Sequence, residues 1–173
     1  KADSPIKSLK DAAGKSMGFS RPGSSSNLVA QQLAAKNGVA VKLVSTGAMP
    51  ATRTQVMSGQ IDIGWAAPPF ALDAVKKGEI RIVARGGELD ALNKVSIRVN
   101  VTSAKFLQER PKAAQAFNRA YKESVDWIYA NLDKSAAFWA ELNKVSAEIA
   151  KEAIAFYPKD RLDPWPVSGL DYS

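Results

Sequence analysis

The chain has 173 residues, of which 46% are hydrophobic and 24% charged, a balance typical of a folded globular chain. It contains neither cysteine nor histidine, which excludes disulfides, thiol nucleophiles, zinc sites built from Cys or His, and histidine-based catalytic triads. The formal charge of +7 and the pI of about 9.6 favour anionic partners, namely nucleic acid, anionic lipid or small acidic ligands.

The sequence carries no membrane-spanning or leader pattern. No apolar run approaches the roughly 18 residues that a membrane span needs. The start, Lys1-Ala2-Asp3-Ser4, lacks the apolar core of a signal peptide. We therefore expect either a cytosolic protein or an exported one whose signal has been removed.

Residues 16–84 repeat one unit three times: a short apolar run, a loop of small residues, a helical pattern and a glycine. This alternation predicts βαβ units with right-handed crossovers and a mostly parallel sheet flanked by helices. The predicted strands lie near 17–20, 40–45, 61–65 and 80–84, and the predicted helices over 25–37, 50–58 and 68–77.

The pattern changes after Gly86-Gly87. Residues 95–101 alternate as a half-buried or edge strand would, and residues 103–157 read as helices. Asp133 and Ser146 are candidate caps for the later helices. Pro158, Pro164 and Pro166 then break regular structure. The helical apolar face needs a sheet to cover it, so we expect it to be exposed or to contact other chain; it comprises Phe117, Tyr121, Val125, Ile128, Leu132 and Trp139.

The loop after the first strand holds the most informative polar cluster, Ser24, Ser25, Ser26 and Asn27 behind Gly23. One helix cap needs one such residue, whereas four occur in a row. Free backbone N–H groups, hydroxyls and the helix dipole together make an anion site. Capping alone and ligand binding both remain open, and a serine nucleophile is disfavoured because no histidine can act as its base.

The loops of the next two units are equivalent positions, Gly47-Ala48 and Trp65-Ala66. Ligands of open α/β sheets bind at the carboxyl edge of the strands, where small residues let them approach the backbone. Trp65 is suited either to stacking on a ligand or to filling core space. Arg85, after the fourth run, is suited to pairing with an anion or to lying in solvent.

Several stretches, in this order and spacing, resemble the periplasmic solute-binding proteins of ABC transporters, in the nitrate, sulfonate, taurine and thiamine-precursor family. They are Ser4-Pro5-Ile6-Lys7-Ser8-Leu9-Lys10-Asp11, Gly14-Lys15, Gly18, Arg21-Pro22-Gly23-Ser24-Ser25, Met57-Ser58-Gly59-Gln60-Ile61-Asp62, Pro68-Pro69-Phe70, Arg110-Pro111-Lys112-Ala113 and Asp126-Trp127-Ile128.

The resemblance implies the type II periplasmic binding protein fold, with two α/β lobes and ligand bound between them. Residues 8–94 would form the second lobe, and residues 95–173 the crossover strand and the C-terminal helices of the first. The stretch that begins the first lobe in the family is missing, so we expect an incomplete lobe.

The resemblance implies a non-enzymatic binding protein that delivers a small organic anion to a membrane permease. It implies a periplasmic monomer with no cofactor, no metal and no catalytic residue. Its ligand-binding residues would be Ser24, Ser25, Ser26, Asn27, Gly47, Ala48, Trp65 and Ala66, with Arg85 a further candidate.

Two other functions are open. An enzyme on the same scaffold, a thiamine-pyrimidine synthase or a lyase, would need its catalytic Cys or His from the missing stretch. A basic module for nucleic acid is disfavoured, because the lysines are dispersed and no recognition motif is present.

Overall fold

A computed structural model describes residues 1–90, 100–157 and 159. The chain divides into two compact units, Lys1–Val95 and Ser96–Ser173, each with its own apolar core. Within the described residues, no helix combines the length and apolar character that a membrane crossing requires.

The first unit is built on short parallel strands. β1 (Ser16–Phe19) pairs in parallel with β2 (Lys42–Ser45), with Ser16 opposite Lys42 and Phe19 opposite Ser45. On its other side, β1 forms a parallel bridge from Met17 to Ile63. β1 is therefore the central strand. The predicted parallel arrangement of the first three runs is confirmed, with the third run reduced to the single bridge at Ile63 in place of the strand predicted over 61–65.

Three helices follow these runs: α1 (Ser25–Lys36), α2 (Met49–Met57) and α3 (Leu72–Lys76). Short 3-10 turns lie at Leu9–Ala12 and Gly86–Glu88. Apolar side chains from the strands, α1 and both 3-10 regions form one core, which contains Ile6, Leu9, Ala12, Met17, Ala30, Leu33, Ile63 and Leu89.

Two predictions for this unit are wrong. Residues 80–84 are not a strand: their apolar side chains Val83 and Ala84 pack on the core without a ladder. A short apolar run predicts that its residues are buried, but buried residues need not pair with a neighbouring strand. The helix predicted over 68–77 begins only at Leu72, because Pro68–Pro69 lie in a turn and Ala71 adopts a left-handed conformation with φ 69°.

The described part of the second unit consists of helices: α4 (Ala104–Glu109), α5 (Pro111–Ala130), α6 (Leu132–Asn143) and α7 (Ala147–Ala155). The break between α4 and α5 falls at Arg110, because a residue before proline is disfavoured in the helical region.

Two local predictions for this unit have different outcomes. The prediction that Ser146 caps α7 is confirmed, since its hydroxyl accepts the N–H of Ile149 at 3.2 Å. The prediction that Asp133 caps α6 is wrong. Asn131 takes the cap position, and Asp133 lies in the first turn with an ion pair to Lys151 at 2.7 Å. The strand predicted over 95–101 lies mostly outside the described residues.

The helices of the second unit expose large apolar side chains, as the sequence predicts. Of the predicted face, Phe117 is 57% exposed and Leu132 40%, and outside that face Phe138 is 69% exposed and Leu142 70%. Val125 is buried, and Trp139 packs against the cluster formed by α6 and α7. The apolar face is thus covered in part by its own unit and open elsewhere.

Replacing Lys144 by glycine is expected to stabilise the second unit. Lys144 ends α6 in the left-handed conformation, with φ 55° and ψ 44°. That conformation is strained for an L-residue with a side chain, so Lys144→Gly should raise the free energy of unfolding by about 0.5–1 kcal/mol in urea denaturation. Asn37→Gly is the control: Asn37 ends α1 with φ −89°, so the change should destabilise.

Candidate functional site

Three loops meet at the carboxyl edge of the parallel strands. The second loop is tied to the first, because Thr46 N–H donates to Phe19 O at 2.8 Å and Gly47 N–H to Ser20 O at 3.0 Å. The third loop is tied to the second through Ala67 N–H, which lies 3.2 Å from Met49 Sδ. The structure therefore brings together the loops that carry eight of the nine predicted site residues.

The first loop contains a closed ring of three hydroxyls. Ser20 Oγ–H donates to Ser24 Oγ at 2.9 Å, and Ser26 Oγ lies 2.9 Å from Ser20 Oγ and 3.0 Å from Ser24 Oγ. A serine has one hydroxyl proton, so Ser24 must donate to Ser26, and Ser26 to Ser20. All three protons are thus used within the ring.

Backbone N–H groups also donate hydrogen bonds to the oxygens of this ring. Ser20 N–H donates to Ser26 Oγ at 2.9 Å, and Asn27 N–H to Ser24 Oγ at 3.2 Å. Asn27 also takes part in the turn, because its Oδ1 accepts Gly23 N–H at 3.2 Å. Ser24, Ser26 and Asn27 therefore organise the turn with their side chains, and Ser24 is the helix cap.

The donors left over at the start of α1 lie on Ser25, Ser26 and the side-chain amide of Asn27, whose Nδ2 has no acceptor among the described residues. The Ser25 hydroxyl is exposed, and nothing in the described part of the chain accepts a hydrogen bond from it. The backbone N–H groups of Ser25 and Ser26 also lack acceptors there, as is usual in a first helical turn. These donors, with the positive end of the α1 dipole, suit an anion.

The second loop presents backbone and small side chains. Gly47 has φ 75°, a conformation that favours glycine, and Ala48 takes the N-cap position of α2 without offering a side-chain acceptor. Both residues are exposed. Beneath them, the buried hydroxyls of Thr46 and Thr52 lie 2.6 Å apart and hold the loop onto α2.

The third loop carries Trp65 and Ala66. Trp65 is half-buried, and its Nε1 is shielded from solvent without a hydrogen-bond partner among the described residues. The indole N–H is therefore an unused donor, but one that solvent does not reach. Ala66 is exposed beside it.

Arg85 lies in the first unit, directly before the 3-10 turn Gly86–Glu88. It is exposed, and its backbone N–H donates to Glu88 Oε1 at 3.0 Å. Its neighbour Gly86 lies against Val29, on the flank of α1. Its role in ligand binding remains a prediction.

The three loops carry no carboxylate. Residues 19–27, 45–50 and 64–70 contain no Asp or Glu, and Arg21 supplies their single charged side chain. Among the described residues, no group of three or more acidic side chains is placed to hold a metal ion. The edge is therefore suited to an anion.

Sequence reasoning missed Ser20, Met49, Thr46 and Thr52. Ser20 follows β1 as one polar residue among several, and nothing in the sequence indicates that its side chain turns back to the helix cap. The two threonines read as ordinary loop and helix residues. Their spacing of six residues brings the hydroxyls together only because β2 and α2 fold back on each other.

Asp62 lies at the opposite end of the strands and makes stability depend on pH. Ser16 N–H (2.9 Å) and Ser16 Oγ (2.7 Å) donate to its carboxylate and hold the pKa of Asp62 below its usual value, and the Lys15 charge adds to this. A depressed folded-state pKa means that the contribution is present above the usual pKa and is lost as pH falls through the folded-state value.

We therefore expect Asp62→Asn to lower the free energy of unfolding at pH 7. The difference from the wild type should shrink as pH falls below about 4. Urea denaturation at several pH values measures this, and Ser16→Ala should move the carboxyl titration of Asp62, followed by NMR, toward its usual pKa. A difference that is constant with pH would contradict the assignment.

The fold of this chain is similar to that of two solved protein structures. Over 91% of the chain, the structure resembles the periplasmic aliphatic sulphonate binding protein SsuA from Escherichia coli, with a TM-score of 0.71 and 20% identity. It also resembles, over 91% of the chain, the alkanesulfonate-binding protein SsuA from Xanthomonas axonopodis pv. citri bound to MOPS, with a TM-score of 0.73 and 17% identity.

The chain spans about half the length of these solved structures, 50% of the first and 54% of the second. The similarities confirm the predicted fold class, a type II periplasmic binding protein fold of which part is represented here. The curated proteins contain no significant match. A family model described as NMT1/THI5 like matches residues 1–135. Because that match covers more than half of the chain, the protein belongs to the NMT1/THI5-like family, as the sequence resemblance predicted.

Proposed function

We propose that this chain is part of the solute-binding component of an ABC importer and captures a small organic anion of the sulfonate, nitrate or carboxylate type. The ligand would lie at the carboxyl edge of the first unit. Ser25 and the first-turn N–H groups of α1 would hold its charged group. Gly47, Ala48, Trp65 and Ala66 would line the adjacent wall.

The observation that carries the proposal is a set of unused donors on loops that have no carboxylate. The Ser25 hydroxyl and the N–H groups of Ser25 and Ser26 have no acceptor among the described residues. A set of donors without nearby negative charge recognises oxyanions. Among the three serines of the cluster, the ring leaves Ser25 as the one whose hydroxyl can contact the ligand, because the hydroxyls of Ser24 and Ser26 are already used within the protein.

The two-lobe assignment belongs to the same proposal. Residues 8–94 would form the second lobe, and residues 95–173 would return to the first. Closure of two lobes over the ligand would exclude water and strengthen the hydrogen bonds to its charged group. Membership of the family and the exposed apolar faces of α5 and α6 support this assignment.

The residues favour a binding role without catalysis. The two similar solved structures are titled as binding proteins. The serines at the edge have neither a histidine nor a carboxylate on the three loops to act as a base. We propose the corresponding setting as well: a periplasmic monomer that binds no nucleic acid, needs no cofactor and delivers its ligand to a membrane permease.

Isothermal titration calorimetry and thermal shift test the proposal. The panel should contain an alkanesulfonate, nitrate, an aliphatic carboxylate and an aromatic acid, with a quaternary ammonium compound as the control of opposite charge. A true ligand at about 100 times its dissociation constant should stabilise the fold by about 2.7 kcal/mol. Equal responses to anions and to the cation, or none at all, would contradict the proposal.

A further inference from the structure

Ser20 lies where the first and second loops meet and uses every polar group it has. Its N–H donates to Ser26 Oγ, and its hydroxyl donates to Ser24 Oγ. Its carbonyl accepts from Gly47 N–H at 3.0 Å and from Ser45 Oγ at 3.1 Å. A single residue thus connects the helix cap of α1 with the loop that leads to α2.

The hydroxyl ring fixes the side chain of Ser26 as well as that of the cap residue. Ser26 Oγ accepts from Ser20 N–H and from the Ser24 hydroxyl, and its own proton goes to Ser20. Since Ser26 also supplies a first-turn N–H, its position sets where that N–H points. Hydrogen bonds that satisfy one another in a small ring confine all of their members.

We infer that Ser20 is a positioning residue for the anion site: its hydroxyl, through the ring, fixes the first turn of α1, and it does not itself contact the ligand. This inference rests on the proposed function. Ser20 would thus affect the affinity for the ligand although its polar atoms are hydrogen-bonded within the protein. It also distinguishes two groups in the serine cluster: Ser20, Ser24 and Ser26 organise the turn, and Ser25 contacts the anion.

Removing the Ser20 hydroxyl opens the ring. Ser20→Ala leaves Ser26 Oγ–H without its acceptor and Ser24 Oγ with one donor fewer. Each loosened side chain must then be ordered again when the ligand binds. We expect the affinity for an alkanesulfonate to fall by about three- to tenfold, the range of one neutral hydrogen bond.

The experiment compares matched variants of the 173-residue chain by calorimetry with hexanesulfonate. Ser45→Ala is the control, because it also removes one hydrogen bond to Ser20 but leaves the ring intact, so its affinity should stay at the wild-type value. Ser20→Thr, which keeps the hydroxyl, should restore affinity. If Ser26 contacts the ligand directly instead, Ser26→Ala will weaken binding while Ser20→Ala binds equally well or more tightly, and that result would overturn the inference.

A measurement without ligand separates this inference from the proposed function. In amide NMR spectra, Ser20→Ala should shift the signals of Ser24, Ser25, Ser26 and Asn27, whereas Ser45→Ala should leave them in place. If the wild type binds no anion, the proposed function fails, and the turn signals then report only whether the hydroxyl ring exists. If the wild type binds hexanesulfonate and Ser20→Ala matches it, the role of Ser20 alone is refuted.

Discussion

Replacing Ser25 by alanine is expected to weaken anion binding by about tenfold or more while leaving the melting temperature unchanged. The Ser25 hydroxyl is exposed and makes no hydrogen bond within the described residues, so its loss costs the fold nothing. A hydrogen bond to a charged group contributes about 1.5–3 kcal/mol, and 1.4 kcal/mol corresponds to a factor of ten in affinity.

Ser24→Ala should lower stability and, because it also opens the hydroxyl ring, weaken binding by no more than Ser20→Ala does. Ser24 caps α1 by accepting the N–H of Asn27, and loss of such a cap lowers the free energy of unfolding by about 1 kcal/mol. Its effect on intrinsic affinity should be smaller than that of Ser25→Ala, because its hydroxyl proton is directed to Ser26. Thermal melting and calorimetry on both variants measure the two effects separately.

A second cap provides the matched control. Ser146 caps α7 in the other unit with the same geometry, its hydroxyl accepting the N–H of Ile149 at 3.2 Å. Ser146→Ala should lower stability by a similar amount and leave the affinity unchanged. If Ser25→Ala binds the anion as tightly as the wild type, the serine cluster is a helix cap and the assignment of Ser25 as a contact is wrong.

The order of strands and helices in the first unit followed from the sequence because local signals and burial agreed there. In the first two units of the repeat, an apolar run, a small-residue loop and a helix end in glycine, and both became β/α units within a residue or two of prediction. The run at 80–84 has the same composition without the pairing. Apolar character predicted its burial, but strand pairing depends on a neighbour that no local pattern specifies.

The meeting of the first two loops was predicted from the sequence, but the hydrogen bonds within them were not. Position after a parallel strand brought the Ser24 and Gly47 loops together, as expected from topology. Which serine caps the helix and which one keeps a free hydroxyl depends on Ser20. Ser20 lies on the strand side of the loop, and its hydroxyl points back to the cap. Adjacent serines have the same chemistry, so only their hydrogen-bond partners distinguish a capping residue from a free one.

Close packing around Gly64 is another feature that the sequence did not show. Gly64 follows the bridge residue Ile63 and precedes Trp65, and it lies directly on α2. A Cβ at this position would come within 2.7 Å of Val56 Cγ2 and 2.8 Å of Thr52 Cγ2. Both side chains are buried, and the Thr52 hydroxyl is held by Thr46 at 2.6 Å, so neither can simply move aside.

Gly64→Ala is therefore expected to lower the free energy of unfolding by about 1–3 kcal/mol, the usual cost of overpacking a filled interior. Urea denaturation measures it, and Gly87→Ala is the control, because a Cβ there meets nothing within 4 Å and the change should be nearly neutral. The double variant Gly64→Ala/Val56→Ala should be less destabilised than the sum of its two single changes, since removing the Val56 methyl groups relieves the contact.

Because the same strain would displace Trp65, the single variant should also bind anions more weakly, and the double variant should recover part of that loss. Additive stability effects would show instead that the backbone at Gly64 yields easily and that its approach to α2 does not fix the third loop.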